Sequence, residues 1–334
     1  MNFCTIFDSE YLLKGLVMYR SLEENCDDFH LYIFLFDEKS EKILKELNLS
    51  KATIISQTNF EDKQLLSVKN FRSKSEYFWT STPFVIDYAI NKFNLDSCTY
   101  LDADLLFFDS PAKLLDELGN DSIMITEHRY HPEHDKTETA GKYCVQFNTF
   151  VNDQRGKQAL DWWKDACLQW CYARSEDGKF GDQKYLDDWP KRFKGVHELQ
   201  HIGGGVAPWN IARYEIFEKD GNVFIEENKR VYPLIFYHFH KTNIYNIRGD
   251  IKTKTYFAVN KNPAAQKFIY KKYEAALSLV LKEVRETDPL FKTGLDSNLN
   301  YFKEELRELT PSFLKKFLKS YRYLLRNSPK HPTT

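Results

Sequence analysis

Two aspartates, Asp102 and Asp104, stand in the otherwise apolar run YLDADLLFF. Read as one strand over Cys98–Phe108, this spacing puts both carboxylates on the same face, roughly 7 Å apart. Like charges are costly to bury in an apolar strand, and a divalent cation held between them and a diphosphate offsets that cost. Oxygen ligands suit Mg²⁺ or Mn²⁺, and the small Ala103 leaves room for a nucleotide. Far downstream, VYPLIFYHFH reads as a strand over Val231–His240 that ends in a histidine pair, His238 and His240, on one face. An isolated D-x-D is commonly a solvated strand end, but the apolar flanks argue against that reading here.

The elements that must position these residues alternate in type. Phe3–Phe7 reads as a buried strand, and Tyr11–Leu22 has the apolar spacing of a helix. His30–Phe36 and Ala52–Ile55 read as further strands with a helix over Glu41–Leu47 between them, the order of a parallel α/β sheet. Such sheets bind ligands at the carboxyl ends of their strands. Thr82–Phe93 is expected as a helix opened by Pro83. Ser122–Thr126 and Val145–Asn152 read as strands around a polar loop over His128–Lys142, and Gly156–Arg174 as a long aromatic helix. Beyond about residue 250 the pattern becomes helical, with candidates at Ala264–Val284 and Ser312–Arg326. The expected division is a catalytic unit over 1–250 and a helical extension over 251–334.

The chain has 334 residues, 42% hydrophobic and 28% charged, which is enough for a full α/β core. A formal net charge of -1 argues against a nucleic-acid binder. The six scattered cysteines lack the spacing of a zinc site and read as reduced core thiols. With no basic and apolar leader at Met1 and no run long enough to span a bilayer, a cytoplasmic protein is expected.

In these motifs the chain resembles the family 8 glycosyltransferases and related GT-A enzymes of bacterial surface-polysaccharide synthesis, over roughly residues 1–245. The resemblance implies a Rossmann-like mixed sheet flanked by helices. It also implies a uridine diphosphate sugar as donor, a glycan or lipid-linked acceptor hydroxyl, and transfer with retention. The turn FDSEY corresponds to the family's base-holding element, assigning Phe7, Asp8 and Tyr11 to the nucleotide, although Glu10 replaces an amide. Asp102 and Asp104 match the family's metal-binding D-x-D, with Ala103 against the nucleotide. The segment HFHK matches the element carrying the third metal ligand, which gives His238, with His240 as competitor because Lys241 replaces a glycine. FNTF makes Asn148 the donor-sugar amide, and GDQ offers Asp182 and Gln183 beside the anomeric carbon. The basic residue that the family often carries ahead of D-x-D is missing, leaving Lys74 or Lys241 for the diphosphate.

Other features have narrower readings. His128, His131 and His134 suggest zinc by number, but Pro132 interrupts the helix that would align them, so a loop near the donor site is expected, with Arg129 as a phosphate or acceptor contact. Trp189 and Trp209 are the acceptor-stacking candidates, and Gly203–Gly205 reads as a flexible acceptor-side turn. The segment 310–334 holds six lysines and arginines and no acid around an apolar stripe, which fits either a helix on the inner membrane face or one docked on the catalytic unit. Two other functions compete. A sugar nucleotidyltransferase would want a glycine-rich basic loop where FDSEYLLKG is acidic, and a catalytically silent sugar-nucleotide binder would be expected to have lost metal ligands.

Overall fold

The computed structural model describes residues 1–255, 262–298 and 300–301. The expected Ser312–Arg326 helix therefore lies outside the described residues. A seven-stranded sheet forms the centre, built from β1 (Asn2–Phe7), β2 (His30–Leu35), β3 (Ala52–Ser56), β4 (Ser97–Leu101), β6 (Ile123–Glu127), β7 (Tyr143–Val151) and β8 (Val196–Glu198). Its order is β3-β2-β1-β4-β7-β6-β8. The β3, β2, β1 and β4 strands run parallel, whereas β7 is antiparallel to both neighbours. The chain first winds outward through β2 and β3 and then returns to place β4 on the other side of β1. The carboxyl ends of β1 and β4 thus flank the point where strand order reverses, the crevice in which open α/β sheets bind ligands.

Both faces of the sheet are covered, which explains why its strands read as apolar runs rather than alternating ones. Helix α1 (Leu12–Asn25) covers one face, with Leu16 and Val17 against Phe3 and Leu31. Helices α2 (Glu38–Leu47) and α5 (Lys271–Thr287) pack beside it. Helices α3 (Lys74–Lys92) and α4 (Gln154–Gln169) cover the other face, where Val85 and Trp163 meet Cys4 and Phe150.

Three local expectations are corrected. Helix α3 begins nine residues before Pro83, at a capping box formed by Ser73 and Glu76, so Pro83 lies inside it. The hydroxyls of Thr80, Ser81 and Thr82 bond back to carbonyls four residues earlier, and α3 carries proline within a stretch rich in such local bonds. The run Val231–His240 is two strands in different sheets: β11 (Arg230–Pro233), which forms a small sheet with β9 (Glu215–Lys219) and β10 (Asn222–Glu227), and β12 (Phe236–His238). Finally, Gly203–Gly205 is buried packing rather than a flexible turn. A Cβ at Gly203 would stand 2.0 Å from the Pro233 carbonyl oxygen, and one at Gly204 2.8 Å from Leu114. The glycines let this segment lie directly against its neighbours.

The pattern does not become helical at residue 250: Asp250–Thr255 is a strand paired antiparallel with Thr242–Ile247, and continuous helix spans 263–287, through a π turn over Gln266–Tyr270. This helix supports β12 from behind. Tyr270 hydrogen-bonds the Tyr237 hydroxyl at 3.0 Å, and Tyr273 stacks on Phe239 with ring centroids 3.6 Å apart. With Tyr237 and Phe239 held this way, the intervening His238 projects to the opposite side.

Candidate active site

The D-x-D segment is not in the middle of a strand. The β4 strand ends at Leu101, Asp102–Asp104 form a turn, and β5 (Leu105–Phe107) pairs antiparallel with β12. The same-face, strand-rise geometry is therefore replaced by a turn, which carries the acids to the cleft at the carboxyl ends of β1 and β4. Backbone bonds fix this turn from both sides: Asp102 N–H donates to the Gln146 carbonyl at 3.2 Å, and Phe239 N–H to the Asp104 carbonyl at 2.8 Å.

The pairing of β5 with β12 sets His238 opposite Leu105, directly beside the turn. His238 Nε2 lies 3.0 Å from Asp104 Oδ1 and 3.7 Å from Asp102 Oδ2. Its other nitrogen, Nδ1, donates to Gln146 Oε1 at 2.8 Å, which orients the ring and leaves Nε2 directed at the two acids. His238 therefore faces both carboxyl groups, and His240 lines both cavities beside it. His240 lies past the end of β12 and not on a shared strand face, its ring 5.6 Å from that of His238.

Charge in this group is unevenly shared. Burial pushes the Asp102 carboxyl up to about 8, against the attraction of His238. Burial also opposes ionisation of Asp104, but His238 and Lys14 outweigh it and hold that carboxyl well below the usual range. His238 is desolvated too, yet the adjacent Asp104 raises its proton affinity. For His240 burial dominates and lowers it to about 3. Both acids reach His238, and carboxylate oxygens with an imidazole nitrogen are the donor types that suit Mn²⁺ or Mg²⁺.

Two cavities, of about 420 and 380 Å³, meet at Asp102 and His238. The first lies at the end of β1 and is lined by Phe7, Asp8, Tyr11, Lys74, Ala103 and Asp104. Asp8 is buried there, accepting from Glu10 N–H at 2.9 Å and ion-paired with Lys74. Asp37, the cap of α2, accepts from Ser9 N–H at 2.8 Å and so ties this turn to the next strand. The second cavity is lined by Asp182, Gln183, His128, His134 and Trp209. Lys241 reaches both, at a left-handed turn with φ of 50°.

Asp182 is buried, and that burial raises its carboxyl to about 7. Gln183 donates to the Ala140 carbonyl at 2.6 Å. The short helix that follows, Lys184–Asp188, has no side-chain cap, which weakens a purely capping role for Asp182. Asn148 on β7 is fully buried and lines neither cavity, and its amide atoms have no hydrogen-bond partner among the described residues.

Several neighbouring expectations change. Arg129 is buried, and its guanidinium donates to the carbonyls of Leu199, Gly204 and His201, so it ties loops together instead of facing a ligand. Trp189 is fully buried, edge-on to Trp163, because it opens a short helix packed into the core. Trp209 lines the second cavity, but its N–H is already donated to the His128 carbonyl. His128 bonds the Lys142 carbonyl, and burial lowers it to about 3. Gln146, Thr82, Tyr100 and Cys144 were not anticipated at the site. Gln146 reaches His238 across 92 residues of sequence, a contact that no local spacing announces.

The doubly covered mixed sheet, with an acidic turn and a histidine at its switch point, defines a nucleotide-diphosphosugar transferase fold of the GT-A type. Residues 3–162 match the model of glycosyl transferase family 8. The uncharacterized protein YfnD of Bacillus subtilis (strain 168) is 32% identical over 300 residues, spanning 88% of this chain and 94% of that protein. The uncharacterized protein YfnF of the same organism is 28% identical over 297 residues, spanning 86% and 95%. The solved galactosyltransferase LgtC, in complex with donor and acceptor sugar analogs, is 15% identical with a TM-score of 0.48, covering 72% of this chain and 87% of that one. The chain is a GT-A transferase like those of glycosyl transferase family 8, whose model it matches over residues 3–162.

Proposed function

We propose that this chain is a metal-dependent hexosyltransferase. It moves a sugar from a nucleotide diphosphate, UDP by family resemblance, to an acceptor hydroxyl with retention, in surface glycan synthesis. The observation that carries this reading is the convergence of Asp102, Asp104 and His238 where two cavities meet. The cavity with Phe7, Asp8 and Tyr11 takes the nucleotide, and Ala103 leaves space for the ribose. The cavity with Asp182 and Gln183 takes the transferred sugar. Mn²⁺ or Mg²⁺, held by Asp102, Asp104 and His238, neutralises charge on the diphosphate leaving group. Lys241, reaching both cavities, and Lys74 add positive charge to the diphosphate path. Asp182 and Gln183 place a carboxylate and an amide where positive charge develops on the sugar. Asn148, with both amide atoms unsatisfied, is the donor-sugar amide if side chains around it rearrange on binding.

A thermal-shift titration tests this reading. UDP at a hundredfold excess over its Kd, with Mn²⁺, should stabilise the protein by about 2.7 kcal/mol. EDTA should abolish the gain, and a UDP-sugar should then release UDP slowly even without acceptor. A metal-independent shift would defeat the metal assignment, and tight binding without any UDP release would favour a silent binder.

We assign the catalytic unit to residues 1–250 and an extension to 251–334, with 310–334 as a peripheral contact to an anionic inner-membrane surface. No described helix is long and apolar enough to cross a membrane. Each basic residue near anionic lipid contributes about 1 kcal/mol. The full chain should therefore co-sediment with anionic vesicles at low salt and be released by high salt. Retention of binding after deletion of 310–334 would refute the assignment.

A further inference from the structure

Cys144, on β7, is buried, lines the second cavity and takes no part in the transfer chemistry above. Its sulfur, a carboxylate oxygen of Asp102 and a ring nitrogen of His238 all lie within 4.8 Å of one another. This is the one such cluster of three metal-ligating side chains among the described residues. The three come from separate places in the fold: β7, the turn after β4, and β12. Donors arranged tetrahedrally around Zn²⁺ are separated by about 3.3–3.8 Å at ordinary bond lengths, so small side-chain adjustments close the set.

Two of these donors, Asp102 and His238, also belong to the oxygen-rich set completed by Asp104. The third ligand differs in kind. Asp104 favours a hard ion, whereas a thiolate favours Zn²⁺ and other thiophilic ions, which bind nitrogen and sulfur more tightly than Mn²⁺ does. The two sets cannot be filled together, because they share two ligands.

We propose that Cys144, Asp102 and His238 form a second, mutually exclusive metal site that captures Zn²⁺ and blocks the nucleotide-binding ion. This proposal rests on the assignment of Asp102 and His238 to that ion. Capture forms a Zn–S bond as the Cys144 S–H bond gives up its proton to solvent. No electron is transferred, and the step reverses when a chelator removes the zinc.

Cobalt(II) provides the readout, because sulfur ligation gives it an intense near-ultraviolet charge-transfer band. Metal-stripped full-length protein titrated with Co²⁺ should develop that band, and Zn²⁺ should bleach it. Bound Mn²⁺, followed by electron paramagnetic resonance, should be displaced by Zn²⁺. Cys144→Ser, checked for folding by circular dichroism, should lose the band and still bind Mn²⁺. Asp104→Asn should lose Mn²⁺ and retain the band, which separates failure of the transferase metal assignment from failure of this one. Cobalt binding without the band would overturn the proposal. So would a band that survives in Cys144→Ser, since it would come from another thiol.

Discussion

Asp104→Asn should abolish metal-dependent nucleotide binding and reduce sugar transfer by about a thousandfold while the protein remains folded. The substitution keeps the shape of the side chain and removes its charge. Asp104 is the acid closest to His238 Nε2, at 3.0 Å, and the one whose carboxyl is held ionised by its neighbours. A bound ion contributes several kcal/mol of charge stabilisation in the transition state, and about 4 kcal/mol corresponds to three decades in rate. The replaced acid also sits 4.0 Å from the buried Lys14 Nζ, so some loss of stability should accompany the loss of binding. Isothermal titration with Mn²⁺ and UDP, alongside denaturant melts, separates the two effects. Nucleotide binding of unchanged affinity and metal dependence would remove Asp104 from the ligand set.

Asp182→Asn should lower kcat by roughly 100- to 1000-fold, the magnitude expected when one preorganised electrostatic group is lost beside a developing charge. Its pH behaviour gives an independent check. Burial raises the Asp182 carboxyl to about 7, so between the ordinary carboxylate range and about 7 the folded protein holds a proton that the unfolded chain has released. The group's contribution to stability therefore falls as pH rises through that window, by at most about 1.4 kcal/mol per pH unit, and levels off above it. In chelated protein, Asp182→Asn should flatten this part of the stability profile. Transfer by the wild type should rise with pH as the carboxylate forms. A variant with full activity would leave Asp182 a purely structural role.

The sequence was most informative where a signal is local. The apolar runs of β1, β2 and β4 announced a buried sheet because strands covered on both faces have no polar side to alternate. The acids at 102 and 104 stood out because charge in an apolar run needs a compensating partner. Their surroundings were less legible. Pro83 was read as a helix start because proline favours that position, but the Ser73–Glu76 capping box set the boundary earlier. Arg129 resembled a phosphate contact until the fold showed the three carbonyls that it satisfies.

By itself the sequence determined the alternation of strands and helices and the chemical types gathered for the site, since hydrophobic periodicity and residue identity are carried by neighbours along the chain. Only the tertiary structure decided that the acids lie on a turn, that His238 stands within 3.7 Å of both, and that Gln146 orients that histidine. It also brought Cys144 to the same point. These outcomes depend on the antiparallel register of β5 with β12 and on the position of β7 beside β4. Such pairings join residues far apart in sequence, and their geometry is fixed by packing against the whole core rather than by any local pattern.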